Sequence, residues 1–171
     1  MSGIILETER LSLREITEDD LDDLLEIWGD PETMRFFPST LDRQATRDLI
    51  ERNRKRYEQY GFGRWAVILR SEQKLAGECG LAILDVDGID ELELGYCFNR
   101  KYWGRGLATE AARACMDFAF EPLGCNRIIS MIRPENTPSR RVAERNGLRV
   151  EKEVFWRDYL HYVYAIERND H

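Results

Sequence analysis

Polar and apolar residues alternate through Glu9-Arg10-Leu11-Ser12-Leu13-Arg14-Glu15, the pattern of a strand with one face in a core. Thr17 then reads as a helix cap, with Asp19 and Asp20 in the first turn facing the helix dipole. Leu21, Leu24, Leu25 and Trp28 give that helix an apolar stripe, and Gly29-Asp30-Pro31 ends it. A second helix is predicted from about Arg43 to Tyr60, with Leu49, Ile50 and Tyr57 as its buried positions and Gly61 and Gly63 as breakers. Three strand-like segments follow: Arg64–Arg70, Leu75–Leu84 and Glu91–Asn99. Ser71–Lys74 and Asp85–Gly88 between them are turn-forming and short, so the three predict an antiparallel meander.

The period then changes. Gly106–Phe120 reads as a helix with Leu107, Ala111, Ala114, Cys115, Phe118 and Ala119 inward. Arg127–Arg133 reads as a strand, Ser139–Asn146 as a short helix, and Val150–Trp156 with Tyr159–Ile166 as a closing antiparallel pair. With no repeat, low-complexity tract or linker to divide it, residues 1–171 read as one domain of the α+β class.

Composition narrows the function. The apolar share of 43% suits a packed core, while no apolar run reaches the roughly 18 residues that cross a bilayer. Acid arrives at Glu7, too early for a secretory signal, so a cytoplasmic enzyme with no membrane partner is expected. Cys79, Cys97, Cys115 and Cys125 form no C-x-x-C pair, and neither histidine, His161 or His171, lies near a cysteine. Buried free thiols are expected, with neither a metal site nor a disulfide framework. A formal net charge of −7 argues against a nucleic-acid partner. The basic run Arg52, Arg54, Lys55, Arg56 reads as a solvated helix face.

Chemistry concentrates in Asn99–Glu110, which joins a strand end to the start of an amphipathic helix. Gly104 and Gly106, one residue apart, let backbone N–H groups turn toward a common point, and the helix adds its own unpaired N–H groups. Such a loop suits a pyrophosphate; a plain structural turn is the alternative. A P-loop pattern is absent, and Thr109 stands where a dinucleotide fingerprint needs its third glycine.

The run Trp103-Gly104-Arg105-Gly106-Leu107-Ala108-Thr109-Glu110-Ala111 closely resembles the acetyl-CoA loop of the GCN5-related N-acetyltransferase (GNAT) superfamily. Thr8-Glu9-Arg10-Leu11, Trp28-Gly29-Asp30-Pro31, Glu93-Leu94-Gly95-Tyr96, Pro134–Ser139 and Trp156-Arg157-Asp158-Tyr159 extend the likeness over nearly the whole chain. Within the superfamily they resemble the RimJ/RimL group of ribosomal-protein N-terminal acetyltransferases. The resemblance implies a mixed, mostly antiparallel seven-stranded sheet, splayed at its central strands, with about four helices packed on it. It implies acetyl-CoA as cosubstrate, an amine as acceptor, and a monomer or homodimer. The family's R/Q-x-x-G-x-G/A loop falls on Lys101, Tyr102, Trp103, Gly104, Arg105 and Gly106. Lysine in first place keeps a charge for phosphate but not the arginine fork. Leu107 and Ala108 continue the loop into its helix, and the pantetheine arm is expected along Tyr96-Cys97-Phe98.

By the same likeness Glu93 is the candidate base, directly or through water, and Asn136 a contact to the cofactor arm. Apart from the resemblance, Glu93 also reads as a solvent-facing strand residue and Asn136 as a helix cap. The tyrosine acid that many relatives place in the last helix is replaced here by Ala143, which leaves Ser139 to donate a hydrogen bond or relay a proton to the departing sulfur. Trp28, Phe36, Phe37, Tyr57, Tyr60 and Trp156 are candidates for the acceptor cleft or for the core. No cysteine is a clear acyl carrier, so direct attack in a ternary complex is expected. A protein α-amine is the leading acceptor, with a polyamine, amino acid or aminoglycoside as second reading and a non-catalytic acyl-CoA sensor as third.

Overall fold

The computed structural model describes residues 3–171. At the N-terminus two strands form where one is expected: β1 (Ile4–Glu7) and β2 (Leu11–Glu15), an antiparallel pair. The chain turns between them because Thr8 donates its N–H to the Leu11 carbonyl at 2.9 Å, and its Oγ1 accepts from the Leu11 N–H at 3.0 Å. The sheet therefore has eight strands, not seven. After Thr17 the chain makes a 3-10 turn, Glu18–Asp20, before the α-helix starts. The Asp20 carboxylate is drawn back onto the Thr17 N–H (2.8 Å) and onto Arg14 by two bonds of 2.8 Å, which tightens that turn. Helix α1 is Leu21–Trp28.

Helix α2 (Arg43–Tyr60) begins at Asp42, whose carboxylate accepts from the Ala45 N–H at 2.8 Å, and ends at Gly61 with φ 76°. The meander is β3 (Arg64–Leu69), β4 (Lys74–Val86) and β5 (Ile89–Phe98), antiparallel throughout. Asp85 and Val86 extend β4 instead of turning, because Asp87 and Gly88 (φ 54° and 81°) supply the whole reversal. Helix α3 is Leu107–Phe120, β6 is Arg127–Ile132, and α4 is Thr137–Arg145. Helix α4 starts two residues before the expected Ser139 because Asn136 caps it and Pro138 is tolerated in a first turn, where no N–H is needed. Strands β7 (Arg149–Trp156) and β8 (Tyr159–Glu167) close the chain.

Spatial order in the sheet is β1-β2-β3-β4-β5-β6-β8-β7, and only β5–β6 is parallel. Helix α3 covers one face, packing Ala111, Cys115 and Phe120 against Trp65, Leu81 and Leu94. Helices α1 and α2 cover the other with Leu24, Ile27, Trp28 and Ile50 over Ala66 and Cys97. Each large apolar side chain so buried contributes roughly 1.5–3 kcal/mol, whereas exposed ion pairs contribute about 0–1, so these two layers hold the fold. Among the described residues no helix is long and apolar enough to cross a membrane.

Candidate active site

Strands β5 and β6 share a single register pair, Glu93 with Ile129. Near that point Ser130 donates its hydroxyl to the Leu94 carbonyl at 2.7 Å, and at the far end of the seam Arg127 pairs with Glu91 at 3.0 Å. Toward Phe98 no further pair forms. The main chain of β5 therefore borders a cleft of about 840 Å³, lined in this region by Gly95, Tyr96, Cys97 and Phe98. Backbone groups on that edge are available to an extended chain bearing amides.

The cleft continues to the loop before α3. Gly104 and Gly106 both have φ 74°, a left-handed conformation that suits glycine, and a Cβ on Gly104 would meet nothing within 4 Å. Among the described residues the N–H groups from Gly104 to Thr109 donate to nothing, and α3 begins at Gly106 without a side-chain cap. The Thr109 hydroxyl is buried without a partner beside them. Trp103 closes the end of β5, its indole N–H donating to the Phe98 carbonyl at 2.9 Å. Leu107 and Ala108 line the same wall. A run of open amides at a helix start, with an orphaned hydroxyl, fits a pyrophosphate. Lys101 and Arg105 point elsewhere: their charged ends lie 3.6 Å from Glu26 and 3.5 Å from Glu72.

This loop is stapled to the N-terminal hairpin. Glu110 in the first turn of α3 accepts from Thr8 Oγ1 (2.6 Å), the Arg10 N–H (2.9 Å) and Arg10 Nε (2.7 Å), while Arg10 Nη1 donates to the Arg105 carbonyl at 2.8 Å. Burial works to raise the Glu110 carboxyl, but those donors outweigh it and hold the group below the usual carboxylate range. The Thr8-Glu9-Arg10-Leu11 segment thus orients the loop.

Alternation along β5 sends Glu93, Gly95 and Cys97 to the α1–α2 face and Tyr96 to the other. Glu93 lines the cleft and is 6% exposed. Its Oε2 accepts from Arg64 Nη2 at 2.6 Å, and Oε1 accepts nothing among the described residues. Arg64 Nη1 lies 3.6 Å from Oε2 of Glu78, a buried carboxylate on β4 whose Oε2 has no hydrogen-bond donor. Burial pushes the Glu78 carboxyl above its usual range, with Arg64 opposing. Neither Arg64 nor Glu78 stands out in the sequence. The available signal is the lone carboxylate in the small, apolar stretch Ala76-Gly77-Glu78-Cys79-Gly80.

On the opposite side, Tyr96 donates its hydroxyl to the Ser139 carbonyl at 2.8 Å, and Ser139 Oγ donates to the Tyr96 oxygen at 3.2 Å. Burial raises the Tyr96 phenol above its ordinary range, with the Ser139 hydrogen bond opposing. Asn136 lines the cleft and also caps α4, its Oδ1 accepting from the Ser139 N–H at 3.3 Å. Burial raises the Cys97 thiol as well, which disfavours its thiolate form. Of the aromatic candidates, Trp28, Phe36, Phe37 and Trp156 line the cleft. Tyr57 instead donates its hydroxyl to the Arg64 carbonyl inside the fold, and Tyr60 stacks on Phe62 at 5.8 Å.

Residues 10–149 match the family model of the acetyltransferase (GNAT) domain. The chain is 35% identical to the uncharacterized N-acetyltransferase p20 of Bacillus licheniformis, over 90% of this chain and 86% of that one. A solved GNAT-family acetyltransferase from Bacillus anthracis superposes with a TM-score of 0.82 at 30% identity, covering 96% of this chain and 98% of its own. RimL, a ribosomal L7/L12 α-N-protein acetyltransferase solved with coenzyme A, shares the fold with a TM-score of 0.79 at 21% identity, over 96% and 98% of the two chains. Sequence and fold are thus shared with relatives across almost the full length, and the chain belongs to the GNAT family of N-acetyltransferases.

Proposed function

We propose that this enzyme acetylates the α-amino group of a protein N-terminus in the cytoplasm, by direct attack in a ternary complex with acetyl-CoA. The observation that carries the reading is the position of Glu93, facing the cleft where β5 and β6 part. On the opposite face of β5 lies the Tyr96–Ser139 pair. Acetyl-CoA supplies a thioester carbonyl. Gly104 to Ala108 hold its pyrophosphate by their amides, and the edge of β5 at Tyr96–Phe98 orients its arm together with Asn136. Trp103 walls the loop, and the charges of Lys101 and Arg105 act on the phosphates from outside the cleft.

Glu93, anchored through Oε2 by Arg64, takes a proton from the incoming ammonium at Oε1, directly or through water. Ser139 Oγ–H, which rests on the Tyr96 oxygen, turns to hydrogen-bond the leaving sulfur; the proton the thiolate keeps is the second one shed by the amine nitrogen as the tetrahedral intermediate collapses, so serine and tyrosine both stay protonated. One modest base suits an α-amine. With a pKa near 8, about a fifth of it is already neutral at physiological pH, against under 0.1% of a lysine side chain at about 10.4. The fold shared with RimL supports the same acceptor class.

The test is release of free CoA thiol from acetyl-CoA over a panel: peptides with free N-termini, N-blocked lysine peptides, polyamines and aminoglycosides. Turnover on free N-termini and on nothing else is expected. Turnover confined to a small amine would move the enzyme to small-molecule chemistry with the same residues at work. Silence with acetyl-CoA bound would favour a sensor.

A further inference from the structure

The cations of α2 fall into two groups. Arg43, Arg47 and Arg54 pair with Asp22, Glu18 and Glu51 at 2.7–3.7 Å on the outer surface. Arg52 and Arg56 line the cleft and make no hydrogen bond or ion pair among the described residues. They stand one helical turn apart, a spacing at which like charges repel by about 0.2–0.5 kcal/mol. Asn53 and Tyr57, the residues that follow each, fix the helix to β3. Asn53 Oδ1 accepts from the Arg64 N–H at 3.1 Å, and Tyr57 donates to the Arg64 carbonyl. The two arginines are therefore held at the cleft wall by their neighbours, not by partners of their own.

Among the described residues no carboxylate inside the cleft bonds either of them. Glu32 is matched with Arg35 at 2.8 Å, and Glu93 and Glu78 share Arg64. Arg56 is half-buried and lines the same cleft as Glu93, and α2 packs through Ile50 on the Cys97 face of β5, the face to which Glu93 points. The loop of open amides starts α3, which packs on the other face of the sheet. In the reading above the amine meets Glu93 on the α1–α2 face, so a cation pair on α2 is on the acceptor's side of the sheet.

We infer that Arg52 and Arg56 form a carboxylate-binding subsite of the acceptor cleft, so that the preferred acceptor is an amine with a carboxylate a few bonds away. The inference rests on the α-amine reading above. It replaces, for these two residues, the expectation of a solvated helix face. Two sources carry that chemistry: an acidic side chain close behind a protein N-terminus, and the carboxylates of a free amino acid.

The experiment measures kcat and KM for acetyl transfer to matched free-N-terminal peptides with Asp-Asp, Ala-Ala or Lys-Lys at positions two and three, and to free glutamate and aspartate. Parent, Arg56→Gln, Arg56→Lys and Arg52→Gln proteins are compared, with thermal midpoints recorded for each. The acidic peptide is expected to have a KM on the order of tenfold below that of the neutral one, the worth of a partly exposed charge-assisted contact. Arg56→Gln should bring that ratio near unity, Arg56→Lys should restore part of it, and KM for acetyl-CoA should stay within twofold. Arg52 is on the exposed side of the pair, so Arg52→Gln gives the same readout if Arg56→Gln fails to fold. Equal or better turnover of the neutral or basic peptides overturns the subsite and leaves the N-terminal reading standing. Turnover of free acidic amino acids with all peptides silent keeps the subsite and removes the N-terminal reading. A raised KM for acetyl-CoA in either variant, or silence toward every acidic acceptor, overturns the subsite.

Discussion

A Cβ placed on Gly95 would come within 2.0 Å of both terminal nitrogens of Arg64. The glycine is thus the floor on which the guanidinium lies between Glu78 and Glu93. Burial disfavours the Arg64 charge, but the two carboxylates more than compensate and keep it protonated. Gly95→Ala is expected to displace Arg64 and release Glu93 from its anchor. Overpacking of this kind costs about 1–3 kcal/mol, a fall in thermal midpoint of roughly 2–12 °C for a chain of this size. A drop in kcat larger than the change in KM for acetyl-CoA should accompany it. A Gly95→Ala protein as stable and as active as the parent would show that Arg64 has room elsewhere. Glu93 was legible as a candidate because it sits in a recognisable strand motif. Arg64 and Glu78 were not, because they meet it only through register: Arg64 opposite Gly80, Glu78 opposite Cys97, and Glu93 opposite Ala82. Residues 14 and 29 positions apart carry no periodic signal that joins them.

At the scale of elements, the staple from the β1–β2 turn to α3 connects a hairpin at the sheet's edge to the loop of open amides before α3. Glu110→Gln should cost about 1–2 kcal/mol, toward the lower end of charge-assisted bonds because the Arg10 guanidinium is half open to water. It should also weaken acetyl-CoA binding, since the Arg105 carbonyl loses a well-placed partner. The pH dependence has a definite sign. The folded-state pKa of Glu110 is depressed, so its contribution is full above the ordinary value of about 4.5 and is lost as pH falls through the lower folded value. The gap in thermal midpoint between parent and Glu110→Gln should be widest near neutrality and narrow on acidification; a gap constant with pH would place the effect in packing. Helices α2 and α3 were legible end to end, since apolar periodicity and glycine breakers agree there. The break between β1 and β2 was not, because it depends on Thr8 folding back on Leu11, a local side-chain bond that alternation does not register.

For the whole molecule, the meander and the final hairpin followed from turn chemistry, and the splay came only from family likeness. Its physical basis is that β5 and β6 are parallel, joined through a crossover helix, and diverge after one pair. Hydrogen exchange tests what lies along the open edge. Added acetyl-CoA should slow exchange at the amides of Tyr96–Phe98 and Gly104–Ala108, and leave Lys152–Trp156 on the edge strand β7 unchanged. Protection spread evenly over the sheet would point to global stabilisation by mass action instead.

In mechanical terms the seam is a wedge-shaped joint between two leaves. The Arg127–Glu91 pair clamps the narrow end, the Glu93–Ile129 pair and the Ser130 hydroxyl act as the pivot, and the wide end is free. Arg127 also grips Glu151 and Glu167 on the second leaf, so one guanidinium ties the two leaves together at the narrow end. A strut wedged into the wide end therefore pulls against a clamp on the opposite side of the pivot.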